Sequence, residues 1–165
     1  MKVKLLFGFI AILCLFASGT SGNPVVNIVP RPARVKLLKG NFALRENMVI
    51  SYPEGAPELQ KIAVNFADRI RIAGGPALTV IAQSKETKKT GNIILVVKAG
   101  ELPAEGYKLT VKPGFIQLTG GSAAGVFYGI QTLLQLLPPE VYGSGTSGTA
   151  LRWIVPSIDI KDQPR

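Results

Sequence analysis

No histidine occurs anywhere in the 165 residues, and the one cysteine, Cys14, stands inside the first apolar run. Lacking imidazole, the chain lacks the commonest general base at neutral pH and the commonest zinc ligand, and a Ser-His-Asp triad is excluded outright. A lone thiol forms no intrachain disulfide and no cysteine metal site. Aromatic residues make up 7%, with a single tryptophan, Trp153, and charged residues 18%. Acids are the scarcer charge: 10 Asp and Glu against 19 Lys and Arg give a formal net charge of +9. Apolar residues nonetheless reach 47%, which describes one globular domain able to bury a core, not a disordered chain.

What is present begins with an export signal. Lys2 and Lys4 precede an apolar run from Leu5 to Ala17, broken only by Gly8, and Ala17-Ser18-Gly19 supplies the small residues a signal peptidase reads. The run is shorter than the roughly 20 residues a spanning helix needs. A short membrane anchor is the competing reading. Lipidation at Cys14 is opposed by Leu13, where a lipoprotein signal carries a small residue. A signal peptide is therefore expected over 1–19 and a folded domain over 23–165, with a periplasmic or extracellular destination. Removing Lys2 and Lys4 from 19 basic residues leaves 17 against 10 acids, a mature charge of about +7. These cations are dispersed: only Lys85, Lys88 and Lys89 cluster, beside Glu86, and no aromatics interleave with them as a nucleic-acid platform requires. The expected partners therefore include no nucleic acid. A weak preference for anionic glycans or surface polymers is compatible with the charge.

Along the chain, residues 25–38 read as extended, with Pro30 and Pro32 forbidding a helix and marking an edge or lead-in segment. Val35 and Leu37 alternate as a short strand, and Met48 to Tyr52 form another, closed by Pro53. A helix is predicted over 57–73: Leu59, Ile62, Ala63, Phe66, Ile70 and Ala73 share one face, Pro57 suits the first helical position, and Gly74-Gly75 ends it. Strands follow over 77–82 and 92–97. The second of these is apolar on both faces and is expected to be central and covered on both sides. Alternation around Pro113-Gly114 gives a hairpin, 107–112 with 115–119. Ser122 caps a second helix whose stripe is Val126, Phe127, Ile130, Leu133, Leu134 and Leu137, with Tyr128 and Leu136 widening it. So apolar a helix points either to a further partner or, through Gly125 and Gly129, to tight seating on its own sheet. A flexible loop over 143–149 leads to a last strand, 154–160. The order β, α, β, β, β-hairpin, α, β implies an α+β fold: a two-layer sandwich of a mainly antiparallel or mixed sheet with two helices packed on one face.

The search for chemistry returns no site residues: none catalytic, none binding a cofactor, none ligating a metal. Glu101 and Glu105 flank Pro103 in a loop, Asp68 suits only an exposed pair with an arginine, Asp159 faces the polar side of its strand, and no glycosidase-type carboxylate pair stands out. Gly120-Gly121-Ser122 reads as an ordinary capped turn rather than an anion cradle. Trp153 offers a face for a sugar ring, but beside Ile154 and Val155 it more readily fills a core or a domain interface.

Four stretches carry a resemblance. Ile28-Val29-Pro30-Arg31-Pro32-Ala33-Arg34-Val35 resembles the opening of the N-terminal domain of family 20 glycoside hydrolases, the β-N-acetylhexosaminidases. Glu105-Gly106-Tyr107-Lys108-Leu109 with Ile116-Gln117-Leu118 is similar to that domain's hairpin, the run from Ala123 to Leu136 to its most characteristic helix, and Ile158 to Arg165 to the link into the catalytic barrel. Family 84 hydrolases share much of this pattern, but Pro164-Arg165 fits family 20 better. The resemblance implies a non-catalytic domain that supports a barrel expected beyond Arg165. That barrel would hold the family's Asp-Glu pair, in which Glu is the general acid and Asp orients the acetamido group that attacks the anomeric carbon. Nothing in 1–165 matches the pair or the sugar-clamping arginine. A standalone extracytoplasmic glycan- or surface-binding module is the alternative.

Overall fold

The computed structural model describes residues 26–83, 92–143 and 152–163. The expected export signal at 1–19, the Lys85–Lys89 cluster, most of the 143–149 loop and the terminal Pro164-Arg165 lie outside the described residues. Among those described, no helix is long and apolar enough to cross a membrane. Seven strands, β1 (Arg34–Ala43), β2 (Val49–Pro53), β3 (Thr79–Gln83), β4 (Ile93–Val97), β5 (Tyr107–Lys112), β6 (Phe115–Gly120) and β7 (Ile154–Asp162), form one sheet in the order β1-β7-β5-β6-β4-β2-β3. Two helices, α1 (Pro57–Ile72) and α2 (Ala123–Leu136), pack against it, and a short 3₁₀ turn, Pro139–Tyr142, follows α2.

The sheet is mixed in halves. β1, β7, β5 and β6 pair antiparallel, whereas β6, β4, β2 and β3 pair parallel. The parallel half arises because β2, α1 and β3 form a βαβ unit: a helix between two short strands returns the chain to the same end of the sheet. α1 begins with Pro57 at its start and Glu58 in its first turn. It ends in a Schellman motif: Gly74, at φ +77°, donates to the Arg71 carbonyl at 3.0 Å and Gly75 to the Ile70 carbonyl at 2.9 Å. Gly75 also lies against Trp153; an added Cβ would stand 2.8 Å from the indole ring.

α2 sits over the hairpin. Ser122 caps it through its hydroxyl, which accepts from the Ala124 N–H at 3.1 Å and donates to the Ala104 carbonyl at 2.7 Å. The capped-turn reading of Gly120-Gly121-Ser122 therefore holds. Gly125 and Gly129 bear out the tight seating: a Cβ on Gly129 would enter Leu118 of β6, and one on Gly125 would enter the Gly106 carbonyl. Helix and sheet are pressed backbone to side chain along that edge. Leu109, Val111, Ile116, Leu118, Val126 and Leu133 are fully buried between them, each contributing about 1.5–3 kcal/mol by burial.

Three expectations are corrected. β4 is interior in the sheet, but only Ile93 and Leu95 face the helices and are buried; Ile94 and Val96 turn to the opposite side, which no described helix covers, and stay half-buried. β1 is longer than the short strand read around Val35 and Leu37, because a bulge at Leu38–Gly40, with Gly40 at φ +95°, lets it bend and continue along β7. Phe127, counted in the buried stripe of α2, is 47% exposed, while Leu136, counted as surplus, is buried. α2 itself ends at Leu136, just before Pro138-Pro139, and the 3₁₀ turn that follows buries Val141.

Gly125→Ala is expected to destabilise the fold by on the order of 3 kcal/mol, since the obstacle is backbone and cannot rotate away. Urea denaturation monitored by Trp153 fluorescence measures this, and unchanged stability would contradict the seating of α2.

Candidate docking face and its cavity

The outer side of the helix layer departs from an ordinary polar surface. Phe127 and Tyr128 on α2 stand edge to face, 5.8 Å between ring centroids, and Tyr142 in the 3₁₀ turn, 52% exposed, receives the Arg69 guanidinium over its ring at 5.5 Å. Between α1 and α2 runs a groove of about 350 Å³, floored by Ile62, Phe66, Ile130 and Leu134 and walled by Phe127 and Tyr142. Two half-exposed aromatics, Phe127 and Tyr142, rim the apolar groove and Tyr128 stands beside it, an apolar surface of the kind found at protein contacts. The sequence signalled this only as an excess of apolar residues on α2; Tyr142 carried no signal, because its position depends on the 3₁₀ turn.

Beside that face lies a cavity of about 460 Å³ between α2, the lead-in segment 28–31 and the ends of β5 and β7. Most polar side chains lining it are already engaged within the domain. Gln135 grips the backbone of Val29 like a strand partner: its Oε1 accepts from the Val29 N–H at 2.8 Å and its Nε2 donates to the Val29 carbonyl at 3.1 Å. This clamp fixes the segment carrying the cis Val29–Pro30 bond. Tyr107 of β5 and Thr132 of α2 share a buried hydrogen bond of 2.6 Å that ties the sheet to the helix. Asp162 Oδ1 accepts the Ala33 N–H at 3.0 Å, tying the end of β7 to the approach of β1.

The structure brings Glu105 and Asp162 to this one cavity, two carboxylates that nothing in their spacing joins. Asp162 is committed to backbone. The other carboxylates disperse: Asp68 pairs with Arg71 and Glu101 with Lys98, each at 3.0 Å and exposed; Glu46 accepts the Ala77 N–H at 2.9 Å; and Asp159 keeps one buried oxygen without a described partner on the far face of the sheet. No group of three His, Cys, Asp or Glu suited to a metal occurs among the described residues. Trp153 is buried against Ile70 and Gly75, so it presents no face to a sugar.

Burial pushes the Tyr107 phenol above its ordinary value of 10.0, and the Asp162 charge adds to the rise while the Thr132 bond opposes it. A raised folded value means the neutral phenol is favoured by folding. Its contribution is complete below pH about 10 and is lost as pH rises through the folded value. Tyr107→Phe is expected to cost about 1 kcal/mol at pH 7 through the orphaned Thr132 hydroxyl, and to show a smaller loss of stability than the parent above pH 10. Denaturation midpoints at pH 7 and pH 11 check both.

Comparison with known proteins places this arrangement. The family described as "Glycosyl hydrolase family 20, domain 2" matches residues 25–163. A β-hexosaminidase of Porphyromonas gingivalis is 35% identical over 141 residues, covering 84% of this chain and 17% of that protein. A Streptomyces plicatus β-hexosaminidase mutant, in complex with product (GlcNAc), superposes with a TM-score of 0.75 at 32% identity, covering 86% of this chain and 27% of that one. The family 20 β-N-acetylhexosaminidase of Streptomyces coelicolor A3(2) gives 0.68 at 28% identity, covering 81% and 26%. The chain thus spans about a sixth to a quarter of the length of these relatives. The opening segment, the hairpin, the glycine-bearing helix and the last strand all fall inside the matched span, and with them the chain belongs to glycosyl hydrolase family 20, of which it carries domain 2, a non-catalytic domain of β-hexosaminidases.

Proposed function

We propose that the chain is the support domain of an exported β-N-acetylhexosaminidase, seated through the outer face of its helix layer on the enzyme's catalytic barrel. The observation that carries this reading is the proportion of the match. Nearly the whole chain superposes on the Streptomyces plicatus enzyme, yet it accounts for only 27% of that protein. The groove between α1 and α2 supplies the contact surface, since Phe127 and Tyr142 line it and, like the neighbouring Tyr128, are about half exposed. The cavity next to it supports the same direction of docking. β7 ends there at Asp162, so polypeptide continuing beyond Arg165 would leave the domain beside the helix face. In this reading the signal occupies 1–19, the domain 23–165, and hydrolysis of terminal N-acetylhexosamine belongs to the barrel's own carboxylates.

Support of this kind is apolar burial. Three half-exposed aromatics placed against a partner contribute several kcal/mol at about 25 cal/mol per Å², enough to hold two domains in register without any side chain from this domain reaching the substrate.

Two measurements test the reading. The chain alone is expected to show no turnover of a chromogenic N-acetylglucosaminide; turnover abolished by Glu105→Gln or Asp162→Asn would overturn the proposal. A chimera in which this chain replaces the matched segment of the Porphyromonas gingivalis enzyme is expected to be soluble and active, and to lose several degrees of Tm on Phe127→Asp with Tyr142→Asp. The same pair in the isolated chain should cost less than half of that Tm loss, because each side chain is already about half exposed there. Equal effects in both settings would count against docking through this face.

A further inference from the structure

The sheet face opposite the helices carries a second surface feature. Strand register places Arg34 of β1 across from Lys161 of β7, and Lys161 across from Lys108 of β5. Three cations therefore stand in one unbroken row on three adjacent strands. At about 4.8 Å between strands the row spans about 10 Å. Like charges directly opposite one another destabilise a sheet, and here two such oppositions share a residue. None of the three forms an ion pair with a described residue: the only pairs among the described residues are Asp68–Arg71 and Lys98–Glu101. All three are exposed, and they line a groove of about 510 Å³ to which Lys36 and Lys98 add two further cations. Two acids lie in the groove. Glu101 is taken by Lys98, and Asp159 sits one row along, opposite Lys36. The groove keeps an excess of three positive charges.

We propose that this groove binds an extended anionic polysaccharide, one bearing sulfate or carboxylate groups, along the Arg34–Lys161–Lys108 row. Oxyanions accept charge-assisted hydrogen bonds from guanidinium and ammonium donors, and a bound polyanion relieves the repulsion that register imposes on the row. The groove's shape and lining select the ligand. Single-stranded nucleic acid is held by stacking on aromatic rings, and none occurs among the described residues that line the groove. A bilayer offers a broad surface and takes up apolar side chains beside the cations, whereas here the charges line a concavity that a single extended chain enters. Membership of a glycosyl hydrolase family selects a glycan over an acidic peptide; to that extent the inference rests on the family assignment, while catalysis plays no part in it. The face lies across the sheet from the helices, so the groove stays open when the helix side is occupied.

Binding of the full chain to fluorescent dextran sulfate, with uncharged dextran as control, tests the proposal. At 50 mM salt we expect R34Q/K108Q/K161Q to weaken binding at least tenfold and to flatten its salt dependence. R45Q/K61Q/R71Q, which removes the same formal charge elsewhere, should change it less than twofold, and R34K/K108R/K161R should retain it. The Tm of R34Q/K108Q/K161Q should equal or exceed the parent's because the opposed charges are gone, which separates lost binding from lost folding. Equal weakening by both glutamine triples would overturn the proposal. So would binding to duplex DNA, polyglutamate or phosphatidylglycerol vesicles as tight as to dextran sulfate. Failure here leaves the helix-side docking test unaffected, since that test reads a different surface.

Discussion

The closeness of α2 to the β5–β6 hairpin is the constraint on which the rest of the molecule depends. A helix normally stands off a sheet by the length of its side chains. Here two glycines, Gly125 and Gly129, let the helix backbone settle onto the Gly106 carbonyl and the Leu118 side chain. That depth brings Thr132 within hydrogen-bonding distance of Tyr107 and lets Gln135 reach the backbone of Val29. It also explains why α2, with no acid in its first turn and no base in its last, needs little help from capping charges. Its stability comes from the buried face, as it does for most helices in proteins.

The same constraint sorts the surfaces. With the inner stripe of α2 consumed by the sheet, the remaining aromatics, Phe127 and Tyr128, are left about half exposed on its flanks. The opposite face of the sheet carries the cations instead, because strand alternation sends Lys108 and Lys161 away from the core when Leu109 and Ile160 are held in it. One layer thus has two unlike sides, an apolar one suited to a protein neighbour and a charged one suited to a polyanion, with a core between them that holds no reactive constellation. The groups that chemistry would need are spent on architecture: Asp162 ties β7 to the approach of β1, Glu46 caps a loop amide, and Ser122 closes a helix.

Much of this was legible beforehand. Periodicity and punctuation located α1, α2, the hairpin and the Gly74-Gly75 stop because these depend on spacing within one segment. The parallel half of the sheet was not legible. β2 and β3 are short strands whose residues do not declare the direction of their neighbour, and only the passage of α1 between them aligns the two. The exposure of Phe127 was hidden for a similar reason: an apolar residue in a stripe reads as core until the position of the second helix is known.

From the residues alone follow the absence of imidazole and paired thiols, the α+β order of elements, the lack of a declared catalytic pair, and a family likeness spread over four motifs. The side-chain period of each element and the chemistry of each residue type are local properties, so a linear sequence states them directly. Tertiary structure decided which carboxylates share a cavity, that Trp153 is buried, and that Arg34, Lys161 and Lys108 form one row although 127 positions separate the first two. Strand register and helix seating join residues remote in the chain, and these are set only when the whole core closes at once.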